Sequence, residues 1–220
     1  MTESSGTYYS TLPDGRVLLA CTLPDGADET EARVLWQDRE EISGEQRRKI
    51  FAICGEIAQW SAHDPEYVRK NLTADFLRAN IERLQLSALS LAISGNCDKG
   101  TASLFIDFLI NFCLENEVPT SKPLQEYADD LERYTYGALL HKRCVVCGKK
   151  ADIHHCEGSH VGMGRNRKEM IHLGAVLMPL CREHHNECHT IGQTEFDLKY
   201  HTKGVVADKR ICQKVGLKYA

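Results

Sequence analysis

The chain has 220 residues, is 42% apolar, and carries 27 basic against 31 acidic residues for a formal net charge of −4. That length accommodates one large domain or two modest ones. The lack of any run of about twenty apolar residues excludes a membrane-spanning helix.

Charge is unevenly divided. Residues 1–143 hold 15 Lys+Arg and 23 Asp+Glu, whereas residues 144–220 hold 12 and 8. The first part is therefore not a simple basic nucleic-acid clamp, although Arg47, Arg48 and Lys49 form a local basic patch there. Positive charge collects in residues 144–220, the part better suited to attract a polyanion. The polar start, MTESSGTYYS, lacks a basic, apolar leader, so secretion is not expected and a cytoplasmic setting is. Ten cysteines in such a setting read as metal ligands and buried thiols.

In chain order, TYYSTL, RVLLACTL and ARVLWQD are apolar or β-branched runs separated by two Pro-Asp-Gly triplets. They predict a β-meander over residues 7–38. Ser43 followed by Gln46 is a capping-box pattern, and Ile50, Ile53, Cys54 and Ile57 continue at helical spacing. Asp64-Pro65 starts a second helix, with proline at its first position, and Thr73 to Leu86 continues helically. Residues 89–102 read as a loop or short strand, Thr101 to Glu117 as a strongly apolar helix, and Lys122-Pro123 as the start of a last helix to about His141. Cys21, Cys54, Cys97, Cys113 and Cys212 are expected as core or surface thiols.

The remainder is dense in ligand types: eight of the ten histidines and five of the ten cysteines lie between 144 and 201. Cys144 and Cys147 form one Cys-x-x-Cys turn, and Cys181 with His184 forms a Cys-x-x-His turn. Together they make a tetrahedral set suited to structural Zn²⁺. Cys156 and Cys188 lie close enough to compete for it. A second set is the His154-His155 pair with His185 and His189, which share a helix face at i, i+4. Imidazoles suit Zn²⁺ or Ni²⁺ by affinity, while Mg²⁺ or Mn²⁺ serve by availability. The glycine-rich loop 161–168 offers Arg165, Arg167 and Lys168 to phosphates. Phe196, Leu198 and Tyr200 are expected to pack a closing helix onto the finger, with His201 at the surface or as a cap.

The order CxxC, HH, CxxHH, xxxH resembles the HNH endonuclease finger, the ββα-metal fold. The resemblance implies that His154 is a metal ligand, His155 the general base, and His185 and His189 the other ligands. In that family an Asn often precedes the second zinc turn. Val176 stands near that slot, and Asn166 and His172 are the polar residues nearby.

RVLWQDREEISGEQRRKIFAICGEIAQ resembles the start of the Orf (NinB) recombination proteins of lambdoid phages, through Arg39, Ser43, Gln46, Arg48 and Lys49. ISGNCDKGTASLFIDFLINFCLENEVP resembles a later stretch of the same family. This implies a homodimer that binds single-stranded or branched DNA, with single-strand-binding protein or recombinase as partners.

The expected architecture is thus α+β. An N-terminal β-meander and helical domain (1–140) binds DNA, and a zinc-stabilised HNH finger (141–220) cuts it. The alternatives are a non-catalytic recombination mediator, whose zinc finger only binds DNA, and a protein-interaction adaptor.

Overall fold

The computed structural model describes residues 8–11, 17–20, 40–84, 86–92, 95–156 and 170–219. Two compact units emerge, residues 1–37 and 38–220. In the first, β1 (Tyr8–Thr11) pairs antiparallel with β2 (Val17–Ala20), in the register Tyr8↔Ala20 to Thr11↔Val17. These are two strands of the expected meander. The third, ARVLWQD, lies outside the described residues, as does Arg39.

The second unit begins with helix α1 (Gly44–Ser61). Its capping box closes as the sequence requires: Gln46 N donates to Ser43 Oγ at 3.0 Å, and Ser43 N donates to Gln46 Oε1 at 3.2 Å. Two of the four orphan amides at a helix start are thereby satisfied. The face formed by Ile50, Ile53, Cys54 and Ile57 is buried. Helix α2 (Pro65–Ala79) starts on Asp64, whose Oδ1 accepts from Glu66 N and Tyr67 N, both at 3.0 Å. It stops earlier than the pattern suggested, because the Asn80 side chain donates to Phe76 O at 2.9 Å. A single further turn follows as α3 (Ile81–Leu84).

Helix α4 (Lys99–Asn116) is the apolar centre. Phe105 packs on Phe76 at 4.9 Å between ring centroids, and Ala102, Phe105, Ile106 and Leu109 are fully buried. Burial of each such side chain stabilises the fold by about 1.5–3 kcal/mol. The thiols of Cys54, Cys97 and Cys113 lie in this core, where burial pushes each up to about 12. Such thiols are inert packing groups.

The single helix expected over 122–141 is instead a 3-10 turn (Leu124–Tyr127) followed by helix α5 (Leu131–His141). Asp129 and Asp130 impose the break. Asp130 Oδ1 caps α5 by accepting from Glu132 N at 2.9 Å and Arg133 N at 3.1 Å. Asp129 turns the other way and accepts from Gln46 Nε2 (2.9 Å), Lys49 Nζ (2.8 Å) and Ser103 Oγ (2.9 Å). Helix α5 lies so close to α4 that a Cβ at Gly137 would sit 2.6 Å from Asn111 Oδ1.

A three-stranded antiparallel sheet follows, in the order β3 (Asp152–His155), β4 (Val176–Leu180), β5 (Val205–Val206). Helices α6 (Arg182–Ile191), α7 (Gln193–Tyr200) and α8 (Lys209–Val215) complete the unit. The sheet is sandwiched. Met178 and Leu180 join the core that includes Cys181, Cys188 and Phe196, while Leu177 and Ile153 pack with Leu139, Ile211 and Val215. This is the period-2 alternation of a strand with both faces covered. The fold is therefore α+β, mostly helical, with a two-stranded and a three-stranded sheet among the described residues.

Phe196 is fully buried and Tyr200 half-buried, but Leu198 is 66% exposed. Residues 196 and 200 share a helix face and 198 points away from it, which corrects the expectation that all three pack. His201, in the left-handed conformation, caps α7. Among the described residues no helix is long and apolar enough to cross a membrane.

Candidate metal centres

Cys144 and Cys147 lie on the turn after α5, whose left-handed Lys142 ends the helix. That turn is tied to the sheet by Val145 N donating to Pro179 O at 3.0 Å, and to α5 by Tyr134 Oη donating to Val145 O at 3.1 Å. Cys181 is the N-cap of α6, and His184 lies within the first turn.

The four ligand atoms of Cys144, Cys147, Cys181 and His184 lie within 4.8 Å of one another. Within the set, Cys181 Sγ is 3.1 Å and Cys144 Sγ 3.4 Å from His184 Nδ1, and Cys147 Sγ is 3.7 Å from Cys181 Sγ. A tetrahedron with Zn–S bonds of about 2.3 Å has edges of about 3.8 Å, so the donor spacing fits such an ion. Burial, reinforced by neighbouring thiolate charge, raises the Cys144 thiol and pushes Cys147 up to about 12. A cation at the centre of the set reverses that opposition to ionisation. Tyr200 stands edge-on to the His184 ring at 5.2 Å and donates to Glu187 Oε2 at 3.0 Å, which fixes the far side of the ligand.

The second group is His154, His185 and His189, again with ligand atoms within 4.8 Å of one another. His185 and His189 stack at 4.9 Å on α6, and His154 meets both rings edge-on from β3, at 4.9 and 5.1 Å. His154 is buried, His185 half-buried and His189 exposed, so the group opens toward solvent on one side. Burial, then the positive charge that His154 and His189 would carry, pushes His185 down to about 4. It is therefore a neutral imidazole at pH 7, the form a metal needs. Its Nδ1 is buried and has no hydrogen-bond partner among the described residues. An orphaned buried nitrogen carries a desolvation cost of about 1–3 kcal/mol, and a cation in the group removes it. The donor set therefore fits a divalent metal with coordination positions left open.

His155 follows His154 on β3. Its Nε2 is 3.0 Å from His172 Nδ1, with ring centroids 5.0 Å apart. His172 is 2% exposed, and its backbone N–H donates to Lys218 O at 2.8 Å. Of the two polar residues considered near the usual Asn slot, His172 is thus brought to His155, while Asn166 lies outside the described residues.

The other expected residues are placed as follows. Arg165, Arg167 and Lys168 lie outside the described residues. Arg48 is exposed, and Arg47 is half-buried, its Nε without a hydrogen-bond partner among the described residues. Lys49 is engaged by Asp129 at 2.8 Å and Glu45 at 3.1 Å, with its side chain 17% exposed. Cys156 and Cys188 are buried outside the Cys3His set.

Two further features stand near these groups. Gln193 Oε1 lies 2.9 Å from His154 Nε2. Helix α8 and its tail carry four exposed cations, Lys209, Arg210, Lys214 and Lys218, none of them ion-paired with a carboxylate among the described residues. The cation cluster was visible as four basic residues among twelve near the C-terminus; the Gln193 contact carried no sequence signal.

A family model described as "Putative HNHc nuclease" matches residues 19–218. No curated protein and no solved structure matches the chain, and none of these comparisons brings in an Orf-type relative. The match runs through the helices before the finger as well as through the finger itself, and it makes the chain a member of this HNH nuclease family.

Proposed function

We propose that the protein is a metal-dependent HNH endonuclease that hydrolyses DNA phosphodiesters. One observation carries the reading: a solvent-open group of three histidines stands beside a fourth, His155, whose ring is fixed by His172 at 3.0 Å. A module that only needed zinc for folding would require the Cys3His set and nothing more.

Phosphodiester hydrolysis needs a base for the attacking water and positive charge at the phosphate. His155 takes the proton from water, since a histidine ring nitrogen can accept a proton as general base. His172 holds the imidazole in one orientation, in the place where this family often uses Asn. His154, His185 and His189 hold a divalent cation, Mg²⁺, Mn²⁺, Ni²⁺ or Zn²⁺, which supplies charge stabilisation for the phosphate and the leaving 3′ oxygen. Cys144, Cys147, Cys181 and His184 hold structural Zn²⁺ and keep β3, β4 and α6 in register.

Phosphate contacts are assigned to Arg165, Arg167 and Lys168, and in the first part to Arg47, Arg48 and Lys49. Lys49 must exchange its intramolecular partners to serve. The cations of α8 and its tail, Lys209, Arg210, Lys214 and Lys218, are further candidates for phosphate contact, since the Lys218 carbonyl accepts from His172 N. Contacts of this kind carry no base information, so cleavage has low sequence specificity.

The resemblance of residues 30–125 to Orf-type proteins supports a finer reading. On it, residues 1–140 bind single-stranded or branched DNA as a homodimer, with single-strand-binding protein or recombinase as partner, and residues 141–220 cut.

The test is a nicking assay on supercoiled and single-stranded DNA, with metals added singly. Wild type should nick with at least one divalent metal, and His155→Ala should not, while its melting temperature and DNA affinity stay near wild type. Full cleavage by His155→Ala would remove it as the base. Absence of cleavage by wild type with every metal would favour the non-catalytic mediator.

A further inference from the structure

The hydrogen bonds around Gln193 determine which nitrogen of His154 carries its proton. A carboxylate only accepts. Asp197 presents Oδ1 and Oδ2 to Gln193 Nε2, each at 2.9 Å, so that atom must be the amide NH₂ group. The Gln193 carbonyl is then the atom facing His154, with Oε1 at 2.9 Å from Nε2. A carbonyl oxygen also only accepts, so His154 Nε2 must donate. In the neutral imidazole the lone pair is therefore on Nδ1.

Two donors anchor the far end of the chain and its bend. Thr202, 7% exposed, donates from Oγ1 to Asp197 Oδ1 at 2.7 Å. Buried Cys188 donates weakly to Gln193 Oε1 at 3.8 Å. The backbone makes the arrangement possible: Gly192, between α6 and α7, has φ +89°, a conformation that residues with a Cβ rarely adopt. The turn there folds Gln193 back over the helix that carries His185 and His189.

We propose that Gln193 and Asp197 are positioning residues that lock His154 in its Nε2–H tautomer and so present Nδ1 to the metal shared with His185 and His189. This rests on the assignment of those three histidines as a metal site under the nuclease reading. In this role Gln193 acts through His154. It acts by removing the tautomeric choice that a histidine otherwise has at neutral pH, and partners of this kind raise the affinity of the site.

Substitutions in the full-length protein carrying one equivalent of zinc test this. Long-range ¹H–¹⁵N NMR reports the His154 tautomer without any added second metal. Wild type should show Nε2–H alone. Gln193→Leu should show a mixture, as should Asp197→Asn, because an Asn at 197 lets the Gln193 amide rotate either way. Titration with Co²⁺, followed by the d–d absorption of the nitrogen site, should show affinity falling about 10- to 100-fold in both variants. The paired exchange Gln193→Glu with Asp197→Asn reverses donor and acceptor between positions 193 and 197 while leaving a carboxylate acceptor for His154. It should restore both the single tautomer and most of the affinity, which a merely structural role for Gln193 would not predict.

An unchanged tautomer and unchanged Co²⁺ affinity in Gln193→Leu overturn the proposal. So does failure of the paired exchange to rescue either readout while melting temperature and zinc content match wild type. If tautomer and affinity respond as expected but wild type nicks no DNA, the positioning role stands and the nuclease reading falls.

Discussion

Helix α6 serves two ligand groups that differ in almost every property. His184 faces Cys144, Cys147 and Cys181, beneath the aromatic rings of α7; His185, one residue on, faces His154 and His189. The first group is a set of four, with three thiols and all ligand atoms within 4.8 Å of one another. The second is three nitrogens with one member at the surface. A closed thiolate set satisfies its ion and ties together segments distant in the chain, so metal affinity there becomes folding energy. An incomplete nitrogen set would leave room for water and substrate, so on the proposed nuclease reading its contribution is to chemistry. Because both rest on one short helix, structural order in the first group sets the geometry of the second.

The sharpest way to break that contrast is to mutate neighbours. Cys181→Ser and His184→Ala should lose bound zinc and cooperative unfolding of the finger, since structural zinc supplies about 10–16 kcal/mol at pH 7 in small modules. Metal analysis and thermal melting would show it. Folded, zinc-free Cys181→Ser protein would place the two groups in the same class.

His185→Ala should do the reverse. Zinc content should stay at one equivalent and the melting temperature near wild type, because the substitution removes a nitrogen whose burial is uncompensated without metal. Cleavage should fall by at least about 100-fold, the lower range for loss of a positioned catalytic interaction. A melting curve that collapses as it does for Cys181→Ser would mean that the nitrogen group is structural as well.

A site remote from both groups calibrates these effects. Burial tends to raise Asp129, but hydrogen bonds from Lys49, Gln46 and Ser103 outweigh it and hold the carboxyl below the usual carboxylate range. A carboxyl depressed in the folded state contributes stability above its unfolded pKa, about 3.9, and loses that contribution as pH falls through the folded value. Asp129→Asn should therefore destabilise by about 2 kcal/mol near neutral pH and weaken the dependence of stability on pH below about 4. Zinc content should not change. Urea melts at several pH values give both quantities, and an unaltered acid limb would show that the Asp129 hub is not the titrating element.

The smallest effect is expected at Leu198, on the exposed side of α7. Leu198→Ala should change stability by no more than about 0.5 kcal/mol. By contrast, Phe196→Ala, beside His184, should cost about 3–5 kcal/mol and loosen zinc. Equal costs at the two positions would mean that α7 does not support the Cys3His group through one face.

Much of the fold was legible because its signals are local. Ser43 with Gln46, Asp64 with Pro65, and the apolar spacing of α1 and α4 each act within a few residues, where caps and periodicity are decisive. Both ligand groups were legible for a related reason: turn geometry fixes Cys-x-x-Cys and Cys-x-x-His, and the helical repeat fixes His185 with His189. The break between the 3-10 turn and α5 was hidden, since it depends on Asp129 finding Gln46 and Ser103 on two other helices.

By itself, then, the sequence determined which residues could bind metal and how they divide into two sets, because ligand chemistry and short spacings are properties of the chain. Only the tertiary structure decided what stands behind those ligands. His172 reaches His155 across 17 residues, and Gln193 reaches His154 across 39. Each meeting requires β3, β4 and α7 to pack in one register, and no local pattern encodes a contact made across a sheet. The same holds for α8, which packs on the sheet through Ile211 and Val215 against Leu177 and Ile153.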